Sequence, residues 1–292
     1  MKKIILLSLA ITTSILLHAQ NGVPITSVKV SGIPARDAKS DIWNNAQVFV
    51  IPVMPQNVTN PQLLKASVAN VKVKSINDGN KIAFLIEWTD STRDATVDVD
   101  KFSDQVALQL PLNPDTVPNF MMGQKKGRVH IIHWKAVWQD DIEKGFQDVK
   151  TAHPNYWTDI YYFQEKNADG TTTAAKDATV DQFKSKEAKN YMAGAYAGNP
   201  MSIFDRKEPV EETLAEGYGT LTTQEKQDAT AWGVWENNTW KVIIVRSLVS
   251  TDPLDAPLAK NTQICFAVWN GTFKNVGAKK HYSMWNDLII AK

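Results

Sequence analysis

Two histidines, His130 and His133, lie three residues apart in an apolar run that predicts a β-strand. Side chains alternate between the two faces of a strand, so residues three apart point in opposite directions. The pair therefore does not predict a shared metal site, and a core or solvent-facing role is expected for each. The paired carboxylates Asp140–Asp141 and Glu211–Glu212 stand in charged, helix-like surroundings and indicate solvated surfaces rather than acid–base catalysis.

Cys265 is the only cysteine, and it lies in an apolar segment. A single cysteine excludes an internal disulfide, covalent haem attachment through C-x-x-C-H and a cysteine-ligated iron–sulfur cluster. The sequence also lacks the H-E-x-x-H, G-x-S-x-G, phosphate-loop and dinucleotide-binding signatures. We therefore expect a buried, unreactive thiol at Cys265 and none of the common catalytic chemistries.

The charge balance indicates neither nucleic acid nor an anionic membrane as the partner. Lysine and arginine number 32 against 31 aspartate and glutamate residues, which gives a formal net charge of +1. Hydrophobic residues make up 43% of the 292-residue chain and charged residues 22%. This composition favours a folded domain with a core over a disordered chain.

The N-terminus has the pattern of a secretory signal peptide. Lys2 and Lys3 precede a largely apolar run from Ile4 to Leu17, and the small residue Ala19 follows. We expect cleavage after residues 1–19, which leaves one exported domain with the periplasm as its expected location. An uncleaved anchor is the alternative, but the run is shorter than the roughly 20 residues of a spanning helix. No later segment approaches that length, so no membrane span is expected after signal removal.

The elements that must position any site in residues 20–292 are mostly short strands. Val71–Ile76 and Lys81–Trp88 flank an Asn-Asp-Gly-Asn turn, and Ala231–Trp235 and Trp240–Arg246 repeat this pattern around Glu-Asn-Asn-Thr. Each pair predicts a β-hairpin. The spacing predicts an all-β fold, an antiparallel β-sandwich in one domain. Further strand candidates are residues 47–52, 105–110, 129–134, 263–269 and 283–290.

One or two short helices are expected beside the strands. Apolar residues at helical spacing predict an amphipathic helix over residues 138–150. Residues 210–216 are a second helix candidate. Residues 165–189 are rich in Asp, Thr, Ala and Lys and indicate an exposed excursion.

Four groups of segments carry the most information about function. Taken in order, over roughly residues 40–290, they resemble the haem-binding gamma subunits of the ethylbenzene dehydrogenase family. Relatives in that family include the gamma subunits of dimethylsulfide dehydrogenase and of selenate and chlorate reductases. The resemblance depends on the ordered set, with Met-Gly before a Val-His-Ile strand and Lys-x-x-Ser-x-Trp at the end. The segments are Pro118–Gly123 with Arg128–Ala136, His153–Tyr162, Gly198–Pro200 with Gly217–Thr222 and the tryptophan-rich hairpin that ends at Arg246–Leu248, and Ile264–Gly271 with Lys279–Trp285.

The resemblance implies a β-sandwich that holds one non-covalent haem b between a methionine and a lysine. The methionine before the glycine is Met122, and the lysine five residues before the tryptophan is Lys280. Met121 and Lys279 are adjacent alternatives that stay open. A thioether favours ferrous iron and so raises the reduction potential. A lysine ligates only as the neutral amine, which burial in an apolar pocket makes easier to form.

The resemblance also implies which side chains surround the haem. Trp134, Trp269 and Trp285 lie beside the matching motifs and are implied walls of the pocket, whereas most of the ten tryptophans are expected to pack the core. Lys135 and Arg246 are candidate partners for the haem propionates, with an ordinary surface or sheet role as the alternative for both.

The two histidines are a departure from the family pattern. A histidine near the iron could compete as a ligand, and strand alternation lets only one of the two face the pocket. A histidine in place of either axial ligand would keep the haem and lower its potential.

The resulting hypothesis is an exported b-type cytochrome that relays single electrons and performs no bond chemistry. The implied partner is a molybdenum-containing catalytic subunit with an iron–sulfur subunit, or a soluble c-type cytochrome, although the chain could also act alone.

An alternative of a different class is an exported, tryptophan-rich β-sandwich that binds carbohydrate without haem. That alternative explains neither the Met122-Gly123 motif nor the Lys280 motif. A hydrolase that uses aspartate and glutamate has only unpaired carboxylates in its favour.

Overall fold

A computed structural model of the chain describes residues 22–147, 149–155, 199–200, 203 and 205–292. In this part of the chain, a 3₁₀ helix spans Asp41–Asn45, and two α-helices follow, α1 (Ala136–Lys144) and α2 (Val149–Ala152). The strands are β1 (Ile25–Lys29), β2 (Phe49–Pro52), β3 (Met54–Pro55), β4 (Asn70–Asn77), β5 (Lys81–Thr89), β6 (Gln105–Pro111), β7 (Val129–Lys135), β8 (Val210–Ala215), β9 (Thr222–Thr223), β10 (Thr230–Glu236), β11 (Thr239–Ser247), β12 (Thr262–Trp269), β13 (His281–Tyr282) and β14 (Asn286–Ile290).

The strands form two sheets joined through β12. The first sheet has the order β10-β11-β5-β4-β1-β14-β12, and β2 also pairs with β4. The second sheet continues through β6, β7, β8 and β9, with β13 and β3 on the other side of β12. Residues 262–264 of β12 pair with β14, and residues 265–269 pair with β6, so this strand passes from one sheet into the other. The predicted all-β, sandwich-like class is confirmed.

Strand β1 departs from the purely antiparallel arrangement that the sequence predicts. It runs parallel to both of its neighbours, β14 and β4, whereas the other strand pairs of the described residues are antiparallel. No tight hairpin joins β1 to either neighbour, so turn geometry does not dictate its direction. The sheet is therefore mixed.

Both predicted hairpins are confirmed. The turn between β4 and β5 places Gly79 at a φ of 90°, where the absence of a side chain removes the steric cost. The turn between β10 and β11 has Asn237 and Asn238 at φ values of 49° and 56°. Two successive positive φ values are typical of the type I′ turn, whose twist matches that of the paired strands.

The helix predictions need two corrections. The helix predicted over 138–150 is α1, which ends at Lys144 because Gly145 adopts a φ of 94°, and α2 is a separate short turn. The second helix candidate, over 210–216, is wrong because those residues form β8 against β7. Its two glutamates, which suggested a solvated helix, face partners on β7 instead. The predicted excursion at 165–189 and most of the 153–162 segment lie outside the described residues.

The main core lies between the two sheets and includes three of the tryptophans. The ring centroids of Trp88, Trp134 and Trp240 lie 5.0–6.4 Å apart. A Cβ on Gly233 would lie 2.4 Å from the indole of Trp134, so only glycine leaves room for that ring. No helix in the described ranges is long and apolar enough to cross a membrane.

Candidate functional site

A cavity of about 340 Å³ lies on the face of the second sheet that points away from the core. Alternation along the strands explains its position, because every second side chain of β6, β7 and β12 points to this face. The pairing register sets these side chains in rows across the sheet. Two such rows form the floor of the cavity, Cys265 with Gln109 and Ile131, and Ala267 with Ala107 and His133.

Four loop segments cover the floor. They are residues 56–60, 120–122, 218–221 and 277–282, which lie far apart in the sequence. Phe120 and Tyr282, from two of these segments, stack with ring centroids 5.7 Å apart. The cavity is therefore bounded by flat and apolar surfaces on several sides.

The loop that carries Met122 holds an uncommon backbone conformation. Met122 has a φ of 66°, a left-handed conformation that costs a non-glycine residue about 1–2 kcal/mol. The next residue, Gly123, has a φ of 77°, and a Cβ there would lie 2.5 Å from the carbonyl oxygen of Gly127. The Gly123 N–H donates to the Asn119 carbonyl at 2.9 Å, and the Gly217 N–H donates to the Met122 carbonyl at 2.8 Å. Strain of this kind is characteristic of functional loops.

Both candidate methionines line the cavity, but their sulfur atoms differ. The hydroxyl of Tyr218 donates to the sulfur of Met121 at 3.1 Å. Met122 packs against the apolar cluster beneath the cavity, which contains Ile131 and Trp269. The thioether of Met121 thus has a hydrogen-bond donor beside it, whereas Met122 packs from its loop against the apolar floor.

Lys280 lines the cavity, whereas Lys279 is not one of its lining residues in the described part of the chain. The N–H of Gln56 donates to the Lys280 carbonyl at 2.9 Å, and the Gln56 side chain donates to the Ala278 carbonyl at 3.0 Å. Burial lowers the pKa of Lys280, and the nearby Cys265 thiol partly opposes this shift. Its Nζ lies 5.3 Å from the centre of the Trp269 ring. Burial therefore makes the neutral amine easier to form than it is in water.

His133 also lines the cavity, and the two histidines point to opposite faces as predicted. The His133 ring stacks on Trp269 with centroids 4.6 Å apart and an interplanar angle of 21°. Its Nε2 is buried and has no hydrogen-bond partner among the residues that the structure describes. Burial lowers the pKa of His133 well below its usual 6.5, with the charges of Lys135 and Lys280 acting in the same direction. The imidazole is therefore neutral in the folded protein.

Cys265 lies on the floor of the same cavity as a protonated thiol. Burial raises its pKa to about 12. The side-chain amide of Gln109 donates to its sulfur at 3.2 Å. Because the thiolate is the form that binds metals, the expected inert role of this cysteine agrees with its surroundings.

The three predicted wall tryptophans occupy different places. Trp269 lines the cavity. Trp134 lies in the core on the opposite face of the second sheet, where its indole N–H donates to Gln139 at 3.1 Å. Trp285 packs beside Met122, and its indole N–H donates to the Pro118 carbonyl at 2.7 Å. Trp285 thus supports the methionine loop, while Trp134 is separated from the cavity by the sheet.

The two candidate propionate partners have other contacts. The Nζ of Lys135 donates to Glu211 at 2.9 Å and lies 3.6 Å from the centre of the Trp138 ring. Arg246 is buried between the sheets, and its guanidinium lies 3.0 Å from Nδ1 of His130. In the structure both residues therefore contact other side chains of the sheets, which is the alternative that the sequence left open for them.

His130 belongs to a buried polar cluster that resembles a metal site in composition, together with Glu212 and Asp255. The Ala256 N–H donates to Nδ1 of His130 at 3.2 Å, on the same nitrogen that Arg246 approaches. Nδ1 is therefore an acceptor, and the ring proton is on Nε2, 3.3 Å from Oε1 of Glu212. Through Arg246, which lies 3.0 Å from Nδ1 of His130, the cluster connects β11 of the first sheet with β7 of the second.

Sequence reasoning missed the residues that shape the roof. Gln56, Thr59 and Asn60 belong to a segment with no motif, and no local pattern relates them to Lys280. Tyr218 stands in a segment that the resemblance did include, but its contact with Met121 depends on two loops meeting. Only the tertiary contacts show these relations.

The donor atoms that line the cavity suit a borderline-soft metal rather than a hard cation. The sulfur and nitrogen groups that line it are thioethers, an imidazole, an amine and a protonated thiol. None of its described lining residues is an aspartate or glutamate, so hard cations and paired-carboxylate catalysis are unsupported there. Thioether and imidazole ligands are suited to iron.

Comparison with known proteins identifies the family of the chain. The family model described as ethylbenzene dehydrogenase matches residues 40–281, which is most of the chain. The chain belongs to this family. The matched range includes the loop that carries Met122, the floor strands β6, β7 and β12, and Lys280.

One relative and two solved structures are similar to this chain. A protein of Haloferax mediterranei, provisionally named a respiratory nitrate reductase heme subunit (ORF7), is 21% identical over 91% of this chain and 71% of its own length. A family 9 carbohydrate-binding module from Caldicellulosiruptor kristjanssonii in complex with glucose is 12% identical, with 92% and 95% coverage and a TM-score of 0.42. A protein of Bacteroides uniformis described as carbohydrate-binding is 6% identical, with 93% and 100% coverage and a TM-score of 0.42. At these TM-scores the two structures support no conclusion about binding.

Proposed function

We propose that this protein is the haem-binding subunit of a respiratory oxidoreductase, in which one non-covalent haem b occupies the cavity. The observation that supports this most is the meeting of Met122 and Lys280 in one apolar cavity, whose described lining residues include no carboxylate. These two residues lie far apart in the sequence. The name of the Haloferax relative, a heme subunit, points to the same class.

The residues present fit this cofactor. The cavity volume of about 340 Å³ lies within the roughly 300–1,000 Å³ of small-molecule and cofactor sites. Its flat walls, formed by Trp269 and by the Phe120–Tyr282 stack, suit a planar macrocycle. The haem, when bound, supplies one-electron transfer at its iron.

The roles of the protein residues follow from their surroundings. Met122 offers a thioether from a loop held in place by Gly123, and Lys280 offers an amine whose neutral form is favoured by burial. The hydrogen bond from Tyr218 to Met121 and the position of Lys279 outside the lining support Met122 and Lys280 over their neighbours. If Met122 and Lys280 both bind the iron, the protein would fill the positions that a substrate could otherwise take, which would suit electron transfer.

An absorption spectrum tests the cofactor. The chain, produced with haem supplied and purified, should show a Soret band and a reducible α band of a low-spin b-type haem. Affinity for polysaccharide in a protein without a chromophore would instead establish the carbohydrate-binding alternative and overturn the proposal.

Variants of the two ligands test the site. Met122→Ala and Lys280→Ala should each change the low-spin spectrum, whereas Met121→Ala and Lys279→Ala serve as matched controls and should leave it in place. Spectra that stay unchanged in both ligand variants would reject this ligand pair while leaving the haem.

Export and partners belong to the same proposal. The signal pattern at residues 1–19 supports cleavage after Ala19 and a periplasmic location, with residues 20–292 as the mature haem domain. N-terminal sequencing of the exported protein should begin at Gln20, and retention of Met1 in it would contradict cleavage.

The electron partner would be a molybdenum enzyme with an iron–sulfur subunit, or a soluble c-type cytochrome. Co-purification from native membranes and from the periplasm distinguishes these two partners.

A further inference from the structure

We propose that His133 can bind the haem iron in place of Lys280. This inference rests on the proposed function, since it concerns the same haem. His133 lines the cavity on the floor strand β7, next to Ala107 of β6 in the pairing register. Its position on the floor is thus set by the sheet rather than by a loop.

The imidazole lacks a partner that would explain its burial. Its Nε2 is enclosed without a hydrogen bond in the described part of the protein. A buried polar atom without a hydrogen bond destabilises the fold, so such an atom indicates a missing ligand or a strained site. His281 differs, because its Nε2 accepts the backbone N–H groups of Ser67 and Val68 at 2.9 and 3.3 Å. Nε2 of His130 also lacks a hydrogen bond, but it lies 3.3 Å from a carboxylate oxygen of Glu212.

The indole of Trp269 contacts both His133 and Lys280. The His133 ring stacks on Trp269 at 4.6 Å, and the Nζ of Lys280 lies 5.3 Å from the centre of that ring. The imidazole and the amine therefore share one wall, and His133 is the donor placed to replace Lys280. Imidazole binds haem iron in many proteins, so this replacement keeps a six-coordinate haem.

The experiment compares spectra and electron paramagnetic resonance signals of purified haem-loaded variants. Lys280→Ala should remain six-coordinate and low-spin, with a shifted Soret band and changed g values. The double variant Lys280→Ala/His133→Phe should become high-spin, and added imidazole should restore the low-spin signal. The control Lys280→Ala/His153→Ala, which removes an exposed histidine, should behave as the single variant.

Three outcomes would overturn the inference in distinguishable ways. A high-spin Lys280→Ala protein would show that His133 does not reach the iron, while the proposed function stands because the unsubstituted chain binds haem. A double variant that stays low-spin would assign the replacement to another group. An unsubstituted chain without haem would remove the proposed function and this inference together.

Discussion

At the scale of single residues, Lys280 is a cation placed where its charge is poorly accommodated. Its surroundings are a thiol, an indole and loop backbone, and no carboxylate of the described chain forms an ion pair with it. Desolvation disfavours the ammonium, which lowers the pKa. The protein thus bears a cost in its haem-free form that coordination of the neutral amine would remove.

The pH dependence of stability should reveal this cost. Below the lowered pKa of folded Lys280 the cost is fully present. Between that pKa and the ordinary value of 10.5 the unfolded chain binds more protons, so the free energy of unfolding rises with pH. Lys280→Met should lack this contribution, whose slope is at most about 1.4 kcal/mol per pH unit. Urea denaturation of both haem-free proteins measures it, and parallel curves would contradict the expectation.

Substitutions of Trp269 and Trp134 should distinguish the roles of the two faces of the second sheet. Trp269→Phe and Trp134→Phe should each lower the free energy of unfolding by about 1–3 kcal/mol, because both indoles are buried. Only Trp269→Phe should weaken haem binding, since Trp269 lines the cavity and Trp134 packs in the core. Haem titration measures this difference. Equal losses of affinity would place Trp134 at the haem, as the family resemblance implies.

At the scale of elements, the loop over 118–123 shows how local strain presents a side chain. The left-handed backbone of Met122 would not persist in isolation, and hydrogen bonds to Asn119 and Gly217 maintain it. Trp285 fixes the start of the loop through the Pro118 carbonyl. The loop is therefore specified by contacts with the rest of the protein.

Glycine substitutions test this loop. Gly123→Ala should lower the free energy of unfolding by about 2–3 kcal/mol and disturb the haem spectrum, because the new Cβ would lie 2.5 Å from the Gly127 carbonyl oxygen. Gly145→Ala is the matched control, with a φ of 94° and no atom within 4 Å. It should cost about 1–3 kcal/mol through backbone strain alone and leave the haem spectrum unchanged, so the spectrum is the measurement that distinguishes the two variants. Thermal unfolding and absorption spectra measure both, and equal effects would argue against a special role for the loop.

At the scale of the whole molecule, the two sheets are tied by a buried polar cluster as well as by apolar packing. Arg246 of β11 belongs to the first sheet, and His130 of β7 belongs to the second. Arg246 also lies 3.5 Å from Asp255. A charge buried in such a network is costly to leave without its partner.

Arg246→Met should therefore lower the free energy of unfolding by about 3–5 kcal/mol, because it leaves Asp255 with its charge uncompensated. His130 and His133 face opposite sides of β7, so the haem spectrum of the folded fraction should not change. Denaturation followed by tryptophan fluorescence measures the loss. A shifted spectrum with little loss of stability would place Arg246 at the haem propionates instead.

The sequence alone predicted those features that depend on local order. Both hairpins follow from turn residues between alternating runs, and the opposite orientation of His130 and His133 follows from the period of a strand. It failed at β8, where two adjacent glutamates suggested a solvated helix, because their partners Lys135 and His130 lie about 80 positions away. The local sequence pattern contains no information about charged partners that are so distant in the chain.

Only the tertiary structure decided how the chemistry-bearing residues meet. The sequence by itself determined that one cysteine excludes covalent haem and iron–sulfur sites, and the family resemblance pointed to Met122 and Lys280. The fold determined that both residues line one cavity, that His133 faces it, and that Trp134 does not. The physical reason is that strand register and loop contacts assign each side chain to a face, and these depend on distant segments, such as Gln56 and Ala278, which lie 222 positions apart.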